Sequence, residues 1–302
     1  MKKWSSILII LAGVIWGTMG IFVTEMEKIG FTSLQISSVR VTGAALFFIF
    51  TVLIADKSKF KVNIKDLWIF FVMGFVCVLG MSMLYFYTMV NTSLSTAAIL
   101  LYTSPIWVII ISAMVFKEKI TWQKLVALVC AFTGCVLVSY TGGESGSIGM
   151  WFFITGLGSG IAYGLYSIFG TVALKKYHPY TVTMYSFIFA AISSWFMVKP
   201  WDIVTVVKIY PNKPYIILWM VTVGLVTAYT TFMLYTLGLK HTAPGKAAIM
   251  ACTEPLTATL IGVFVYCQSA SVLGILLIFF AIMLVNNFGI SSKENTEQKN
   301  TP

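Results

Sequence analysis

Charged residues and histidines are scarce in this chain, and that scarcity sets its class. Only 10% of the residues are charged and 59% are hydrophobic, whereas a soluble domain carries about 25% charged residues. The runs Leu67–Thr88 and Val272–Phe288 contain no charged residue and approach the roughly 20 residues that cross a bilayer. A soluble protein would expose large apolar patches with this composition. The sequence therefore predicts an all-α integral membrane protein.

The residues that usually carry chemistry are also few. The chain has two histidines, His178 and His241, and no HExxH motif. It has no G-x-x-x-x-G-K-[ST] loop, so ATP hydrolysis is not expected. All cysteines lie in apolar segments without a CxxC pair, which favours packing over a metal site or a disulfide: Cys77, Cys130, Cys135, Cys252 and Cys267. We expect no enzyme activity, no metal and no cofactor; a membrane-embedded enzyme is the less favoured alternative.

Apolar runs separated by short charged segments predict ten membrane-spanning helices. The expected spans are 4–25, 33–55, 66–88, 93–116, 122–141, 149–174, 179–198, 213–238, 243–266 and 270–290. Residues 141–147, rich in Gly and Ser, are interpreted as a flexible joint. Residues 291–302 are polar and are expected to form a disordered cytoplasmic tail.

The lysines indicate how the spans are oriented. With both termini on the cytoplasmic side, that side holds fifteen lysines and the other side holds four. The four are Lys28 and the three lysines of one outer connection, Lys199, Lys208 and Lys213. Cytoplasmic loops carry an excess of lysine and arginine. The net charge of +10 is therefore assigned to orientation in a cell membrane, with the lipid bilayer as partner, and no nucleic-acid partner is expected.

A repeated segment organises the whole chain. Thr242–Pro255 has an earlier copy in Thr92–Pro105, displaced by 150 residues. Six of the fourteen paired positions are identical: Thr92/Thr242, Ala97/Ala247, Ala98/Ala248, Ile99/Ile249, Thr103/Thr253 and Pro105/Pro255. The repeat predicts two five-helix halves, 1–145 and 146–290. Because five is odd, the second half enters the membrane inverted, which places a binding site near the midplane between the halves.

Two charges inside apolar spans are the sharpest candidates for function. Glu254 precedes Pro255 and replaces Ser104 of the first copy. Ionisable groups at membrane depth are expensive and usually functional, so Glu254 is a candidate for proton exchange or for contact with a substrate amine. The structural alternative is that it bonds backbone groups freed at the Pro255 kink. Arg40, the only arginine, is expected to pair structurally with Glu25. A substrate carboxylate and snorkelling towards the outer interface are the alternatives.

Deep aromatic residues are candidates for lining a cavity and for contacting an amine by cation–π attraction. Core or lipid packing is the competing interpretation for each. Trp16 and Tyr163 are favoured because they occupy matched positions beside Gly17 and Gly164, at an offset of 147. The cavity candidates are Trp16, Tyr85, Tyr102, Tyr163, Tyr229, Tyr235 and Glu254, and the helix-kink candidates are Pro105 and Pro255.

From Trp4 to Ile290 the chain resembles the drug/metabolite transporter superfamily, in its EamA-like branch. The resemblance rests on Trp16-Gly17, on Arg40, on Ser95–Ala98 leading to Pro105 and Glu118, on Gly245–Ala248 and on Glu254-Pro255. One departure is Gln268, where many relatives have a glutamate. The resemblance implies a central cavity lined mainly by spans one, three, four, six, eight and nine.

These observations favour a secondary transporter for a small polar metabolite, an amino acid or related compound, with export as the favoured direction. Protons are the candidate coupling ion. Transport of sugars or cationic drugs in the same fold is the alternative. Two five-span halves suffice for alternating access in a monomer, and the sequence leaves the oligomeric state open.

Overall fold

The computed structural model describes residues 4–139, 149–267 and 269–297, and within them all side chains except those of residues 266 and 287–297. All regular structure in these ranges is helical. The α-helices are α1 Ser5–Gly17, α2 Met19–Ile29, α3 Ser33–Ala55, α4 Leu67–Val72, α5 Met81–Asn91, α6 Leu94–Leu101, α7 Ser104–Phe116, α8 Trp122–Ser139, α9 Met150–Leu174, α10 Pro179–Trp195, α11 Pro200–Ile209, α12 Lys213–Gly224, α13 Thr231–Leu239, α14 Pro244–Ala251, α15 Thr253–Tyr266 and α16 Val272–Glu297.

Eight helical segments in the described ranges are long and apolar enough to cross a membrane. A ninth candidate is the pair α10 and α11, which bends by 80° at its break. The stretch Val272–Asn286 of α16 is apolar but shorter than a full span. An all-α membrane protein is therefore confirmed, whereas the number ten remains a prediction.

Local sequence explains where several helices begin and end. A capping box starts α3: the Thr32 hydroxyl accepts from the Gln35 amide, and the Gln35 side chain accepts from the Thr32 amide. Proline opens α10, α11 and α14 at the first helical position, where its missing N–H would have had no partner anyway. Gly30 ends α2 with φ 107°, a left-handed conformation that favours glycine.

The backbone repeats its irregular features at the sequence offset of 150. The third helix of each half contains a π-helical stretch, Met73–Gly80 between α4 and α5 and Leu225–Thr230 between α12 and α13. The fourth helix is broken in both halves, between α6 and α7 and between α14 and α15. Lys117 and Cys267, which end α7 and α15, are the non-glycine residues with positive φ in the described chain, at 55° and 53°.

The halves pack across one another. Helix α1 contacts α13, α14 and α15 of the second half, and α9 contacts α5, α6 and α7 of the first. Helix α10 packs on α3 and on the π-helical stretch at 73–80, while α3 packs on α12 and on the stretch at 225–230. The first and second helices of each half are therefore buried against the other half, and one hydrophobic core spans both.

On the face where the lysine-rich connections lie, the segment between α3 and α4 is held by the junction of α9 and α10. It forms two short 3₁₀ turns, Lys57–Phe60 and Ile64–Asp66. The Tyr177 hydroxyl donates to Asp66 at 2.6 Å, and the Tyr185 hydroxyl donates to the carbonyl of Phe60 at 2.7 Å. These bonds close this face between the two halves.

The connection expected at 199–213 contains helix α11, which packs through Ile203 and Val206 on the buried cluster around Met26 and Ile216. Helix α16 continues to Glu297, into the segment expected to be a tail, and residues 298–302 lie outside the described residues. The joint at 141–147 also lies outside them.

Candidate functional site

Each fourth helix breaks two or three residues ahead of its proline. Proline lacks an N–H and clashes with the preceding turn, so the α-helical bonding pattern stops there. A matched threonine bonds a carbonyl at the break in each copy: the Thr103 hydroxyl donates to Leu100 O at 2.7 Å, and the Thr253 hydroxyl donates to Met250 O at 2.9 Å. The breaks therefore sit deep in the helix without leaving those carbonyls unpaired.

Glycines let another helix cross each break at close range. A Cβ added to Gly17 of α1 would lie 2.7 Å from the carbonyl oxygen of Glu254, and one added to Gly164 of α9 would lie 3.2 Å from that of Ser104. Ser104 and Glu254 are repeat mates, as are the two glycines. Helix α1 thus crosses the break of the second half as α9 crosses that of the first.

Glu254 lies in the first turn of α15, directly after the break. The Tyr163 hydroxyl of α9 donates to Glu254 Oε2 at 2.7 Å. This bond fixes the carboxylate beside the aromatic ring of Trp16, whose centroid is 6.2 Å from that of Tyr163. An anion held by one hydroxyl retains capacity to accept further bonds, so Glu254 can receive a proton or a cationic group from the open side.

A cavity of about 550 Å³ opens above Glu254, which is the size of a small-molecule site. It extends to Glu27, at the end of α2, and to Ser33, at the start of α3, on the face opposite the lysine-rich connections. Its other lining residues are Trp16, Gly17, Met19, Gly20, Val23, Thr24, Arg40, Met81, Ser82, Tyr85, Phe86, Met89, Leu94, Ser95, Ala98, Leu101, Tyr102, Val138, Ser139, Tyr163, Phe232, Pro255, Ala258 and Thr259.

An aromatic layer closes the other end of the cavity. Trp16 packs against Phe232 and Tyr235, with centroids 5.1 and 5.4 Å apart, and Tyr166 packs against Phe232 at 5.0 Å. The Tyr235 hydroxyl and Ser167 share a hydrogen bond of 2.7 Å. Below this layer lies a small pocket of about 20 Å³. The cavity therefore reaches one face of the protein and is blocked towards the other.

Arg40 of α3 lines the same cavity as Glu254. Its side chain is 5% exposed, and its Nη1 donates to Met19 Sδ at 2.9 Å. The expected pairing with Glu25 is wrong, because Glu25 instead contacts Lys28 Nζ at 2.6 Å and the Tyr215 hydroxyl at 3.2 Å. Within the described chain, Arg40 has no carboxylate within 4 Å. The sole arginine is thus buried without an ion pair.

The structure brings most of the predicted cavity residues together. Glu254, Trp16, Tyr85, Tyr102 and Tyr163 line the large cavity, as does the helix-kink residue Pro255. Tyr235 and Pro105 line the small pocket below the aromatic layer.

Tyr229 lies elsewhere than predicted. Its ring packs against Phe48 at 4.7 Å, and its hydroxyl bonds the Thr51 hydroxyl at 2.7 Å, in the contact between α3 and the second half.

Several lining residues were not predicted, among them Met19, Ser82, Phe86 and Phe232. Ser82 and Phe232 are repeat mates, so extending the offset of 150 upstream would have drawn attention to that pair. Helices α3 and α8 also contribute, through Arg40 and Ser139. The lining thus includes spans two and five beyond those that the resemblance implied.

Comparison with known proteins decides the family. The EamA-like transporter family matches this chain twice, at residues 3–140 and at residues 150–287. The chain belongs to this family. This EamA-like transporter is therefore a multi-pass membrane transporter built from two copies of the family's unit, as the sequence resemblance predicted.

Relatives extend over most of this EamA-like transporter. An uncharacterized transporter of Archaeoglobus fulgidus is 26% identical over 274 residues, which cover 87% of this chain and 88% of the relative. The uncharacterized inner membrane transporter YicL of Salmonella typhimurium is 24% identical over 286 residues, covering 92% and 93%. A solved crystal structure shares the fold with a TM-score of 0.74 at 15% identity, over 94% of this chain and 98% of its own.

Proposed function

We propose that this EamA-like transporter is a secondary transporter that moves a small polar metabolite, an amino acid or related compound, by alternating access. The lysine-rich face is taken as cytoplasmic, with both termini there, in the cytoplasmic membrane. The cavity at Glu254 then opens to the outside. Export is the favoured direction, and protons exchanged at Glu254 are the candidate driving ion. In this role the protein transports its substrate without chemical change.

One observation carries the proposal. Helices α7 and α14 are in contact on the cytoplasmic side, and the residues that the repeat pairs with those of this contact line the open cavity. Helix α7 packs against α14, with Ile109 Cγ1 3.1 Å from where a Cβ on Gly245 would lie. Val108 and Ala248 belong to the same buried cluster. Their mates Thr259, Ser95, Ala258 and Ala98 all line the cavity.

Inverted repeats reach their second state when the two halves exchange conformations. The exchange predicts that closing the outer mouth brings Ser95 against Thr259 and Ala98 against Ala258, while Ile109 separates from Gly245. The cavity would then open towards the lysine-rich face. A substrate bound at Glu254 would be released on the other side without a continuous pore.

Cysteine cross-linking tests this exchange. In a Cys267→Ser background, Ile109→Cys with Gly245→Cys traps the state described here, and Ser95→Cys with Thr259→Cys traps the opposite state. We expect both pairs to cross-link in membranes and each cross-link to stop flux reversibly on reduction. If flux continued unchanged in each of the two cross-linked variants, alternating access would be excluded, since only a permanent pore allows flux in both.

The substrate is identified by thermal shift of the purified protein against amino acids, amines, sugars and nucleotides. A ligand at about 100 times its Kd adds roughly 2.7 kcal/mol to the unfolding free energy. Stabilisation by amino acids and saturable flux in vesicles are expected. Stabilisation by sugars alone or by hydrophobic cations alone would replace the amino-acid assignment with the corresponding class.

A further inference from the structure

Arg40 is a cationic group without a carboxylate in ion-pair contact among the residues that the structure describes. The residue is 5% exposed, and its Nε has no hydrogen-bond partner. The bond from Nη1 goes to a methionine sulfur, which is a weak acceptor. A guanidinium keeps its charge in proteins and is shaped to grip a planar anion with two parallel bonds.

Most acidic groups of the described chain have partners away from Arg40, and Asp202 lies exposed in the first turn of α11. Four carboxylates have lysine partners: Glu25 with Lys28, Asp56 with Lys59, Asp66 with Lys176 and Glu118 with Lys124. Glu27, at the cavity mouth, accepts a bond from the Ser33 hydroxyl. Glu254 accepts from Tyr163 and shares the cavity with Arg40, beyond ion-pair distance. The space between Arg40 and Glu254 is thus flanked by one positive and one negative group.

We propose that Arg40 is the anion-binding residue of the cavity and grips the carboxylate of the transported compound. This deepens the proposed function and rests on it, because the compound is the one that the cavity carries. Glu254, on the far side, then faces the amine of a compound that has one. Met19, which contacts Arg40, lines the cavity together with Met81 and Phe86, so the wall offers an apolar surface to the side chain of the bound compound.

Three compounds with the same apolar chain distinguish the contribution of the carboxylate from that of the amine. Leucine carries both groups, isopentylamine only the amine, and 4-methylpentanoate only the carboxylate. Melting of the purified protein with each compound at millimolar concentration reports binding. We expect all three compounds to stabilise the wild type, and Arg40→Gln to weaken the binding of leucine and 4-methylpentanoate by about ten- to hundredfold, as expected for hydrogen bonds between charged groups. Arg40→Lys is expected to recover part of the affinity for both.

Matched variants separate recognition from folding. Lys57→Gln removes one positive charge at an exposed position of the lysine-rich face and is expected to leave all three affinities unchanged. Glu254→Gln is expected to abolish isopentylamine binding and to keep binding of 4-methylpentanoate. If Arg40→Gln does not yield folded protein, the comparison of Arg40→Lys with wild type and with Glu254→Gln still reports which charge the carboxylate needs.

Two results would overturn the assignment. One is that neither leucine nor 4-methylpentanoate stabilises the wild type. The other is that Arg40 variants bind 4-methylpentanoate as the wild type does. Either result leaves the cross-linking test of alternating access intact, because that test needs no ligand. Conversely, carboxylate binding at Arg40 would support the anion site even if flux continued unchanged in each cross-linked variant. That flux result would exclude alternating access alone.

Discussion

The two broken helices of this EamA-like transporter have nearly the same backbone and different chemistry. Both break before a proline, both use a threonine hydroxyl to satisfy the third preceding carbonyl, and both are crossed at a glycine. At the residue before the proline, the first half has Ser104 and the second has Glu254. The residue beside the crossing glycine is Trp16 in the first half and Tyr163 in the second. The comparison shows that the hinge geometry is shared, while the charge and its hydroxyl partner belong to one half.

The largest effect is expected at the residue that distinguishes the two breaks. Glu254→Gln keeps the shape of the side chain and removes its charge, so we expect loss of coupled transport with a folded protein. Ser104→Ala, at the matched position, is the control and is expected to retain transport. Flux in vesicles with the identified substrate, over a range of pH, measures both. Normal transport by Glu254→Gln at every pH would show that the carboxylate has no part in coupling.

The glycines at the two crossings, Gly17 and Gly164, are expected to differ in how well they tolerate substitution by alanine. A Cβ on Gly17 meets Thr257 Cβ at 2.5 Å and two backbone atoms under 3 Å, Glu254 O at 2.7 Å and Ala258 N at 2.9 Å, whereas one on Gly164 meets only the side-chain atom Val108 Cγ2, at 2.8 Å, below that distance. Backbone yields less than a methyl group, so Gly17→Ala should destabilise the protein by about 3 kcal/mol and Gly164→Ala by about 1 kcal/mol.

Gly20 provides the control for the glycine comparison. It lines the cavity, and a Cβ there meets nothing within 4 Å, so Gly20→Ala should leave the melting temperature unchanged or raise it slightly. Equal losses at Gly17 and Gly20 would mean that close helix approach is not what limits position 17.

The hydroxyl partner of the carboxylate gives a smaller and graded effect. Tyr163→Phe removes the donor to Glu254 and should lower the unfolding free energy by about 1.5 kcal/mol, since the acceptor is charged. Tyr235→Phe removes a bond of the same length, 2.7 Å, to the neutral Ser167 and should cost about 0.5–1 kcal/mol. Denaturation of both variants in one detergent compares them. A larger loss for Tyr235→Phe would argue that Glu254 is uncharged in this state.

The smallest expected effect concerns the start of the second helix in each half. Thr32 caps α3 with a hydroxyl, whereas His178 caps α10 with Nδ1, which accepts from the Tyr180 amide at 3.3 Å. Burial, with Lys240 and Lys59 nearby, lowers the pKa of His178 below its ordinary 6.5. The unfolded chain therefore binds the proton more readily, and stability falls as the pH drops below about 6.5.

An asparagine cap tests the histidine. Asn caps helices well and does not titrate, so melting of His178→Asn should change less between neutral and mildly acidic pH than melting of the wild type. Thr32→Asn, on the first half, should leave the pH dependence as it is. Identical pH profiles for wild type and His178→Asn would assign the acid sensitivity to another group.

The sequence predicted the repeat well because identity at a fixed offset survives in both copies. The matched prolines located both breaks, and Trp16 and Tyr163 were found from one pair of glycines. Helix rotation was harder to predict. Tyr229 lies inside a π-helical stretch, where the period of 3.6 residues does not hold, and it points towards Phe48 rather than the cavity. The expected pairing of Arg40 with Glu25 was wrong, because Glu25 contacts Lys28 and Tyr215 instead.

The paired π-helical stretches constrain how the chain length can vary. Each residue of an α-helix turns the chain by about 100°, so deleting one residue at 73–80 would rotate Ser82 and Tyr85 away from the cavity while α4 stayed in place. The same deletion at 225–230 would displace Phe232. Neither helix tolerates a change of one residue without losing part of the lining.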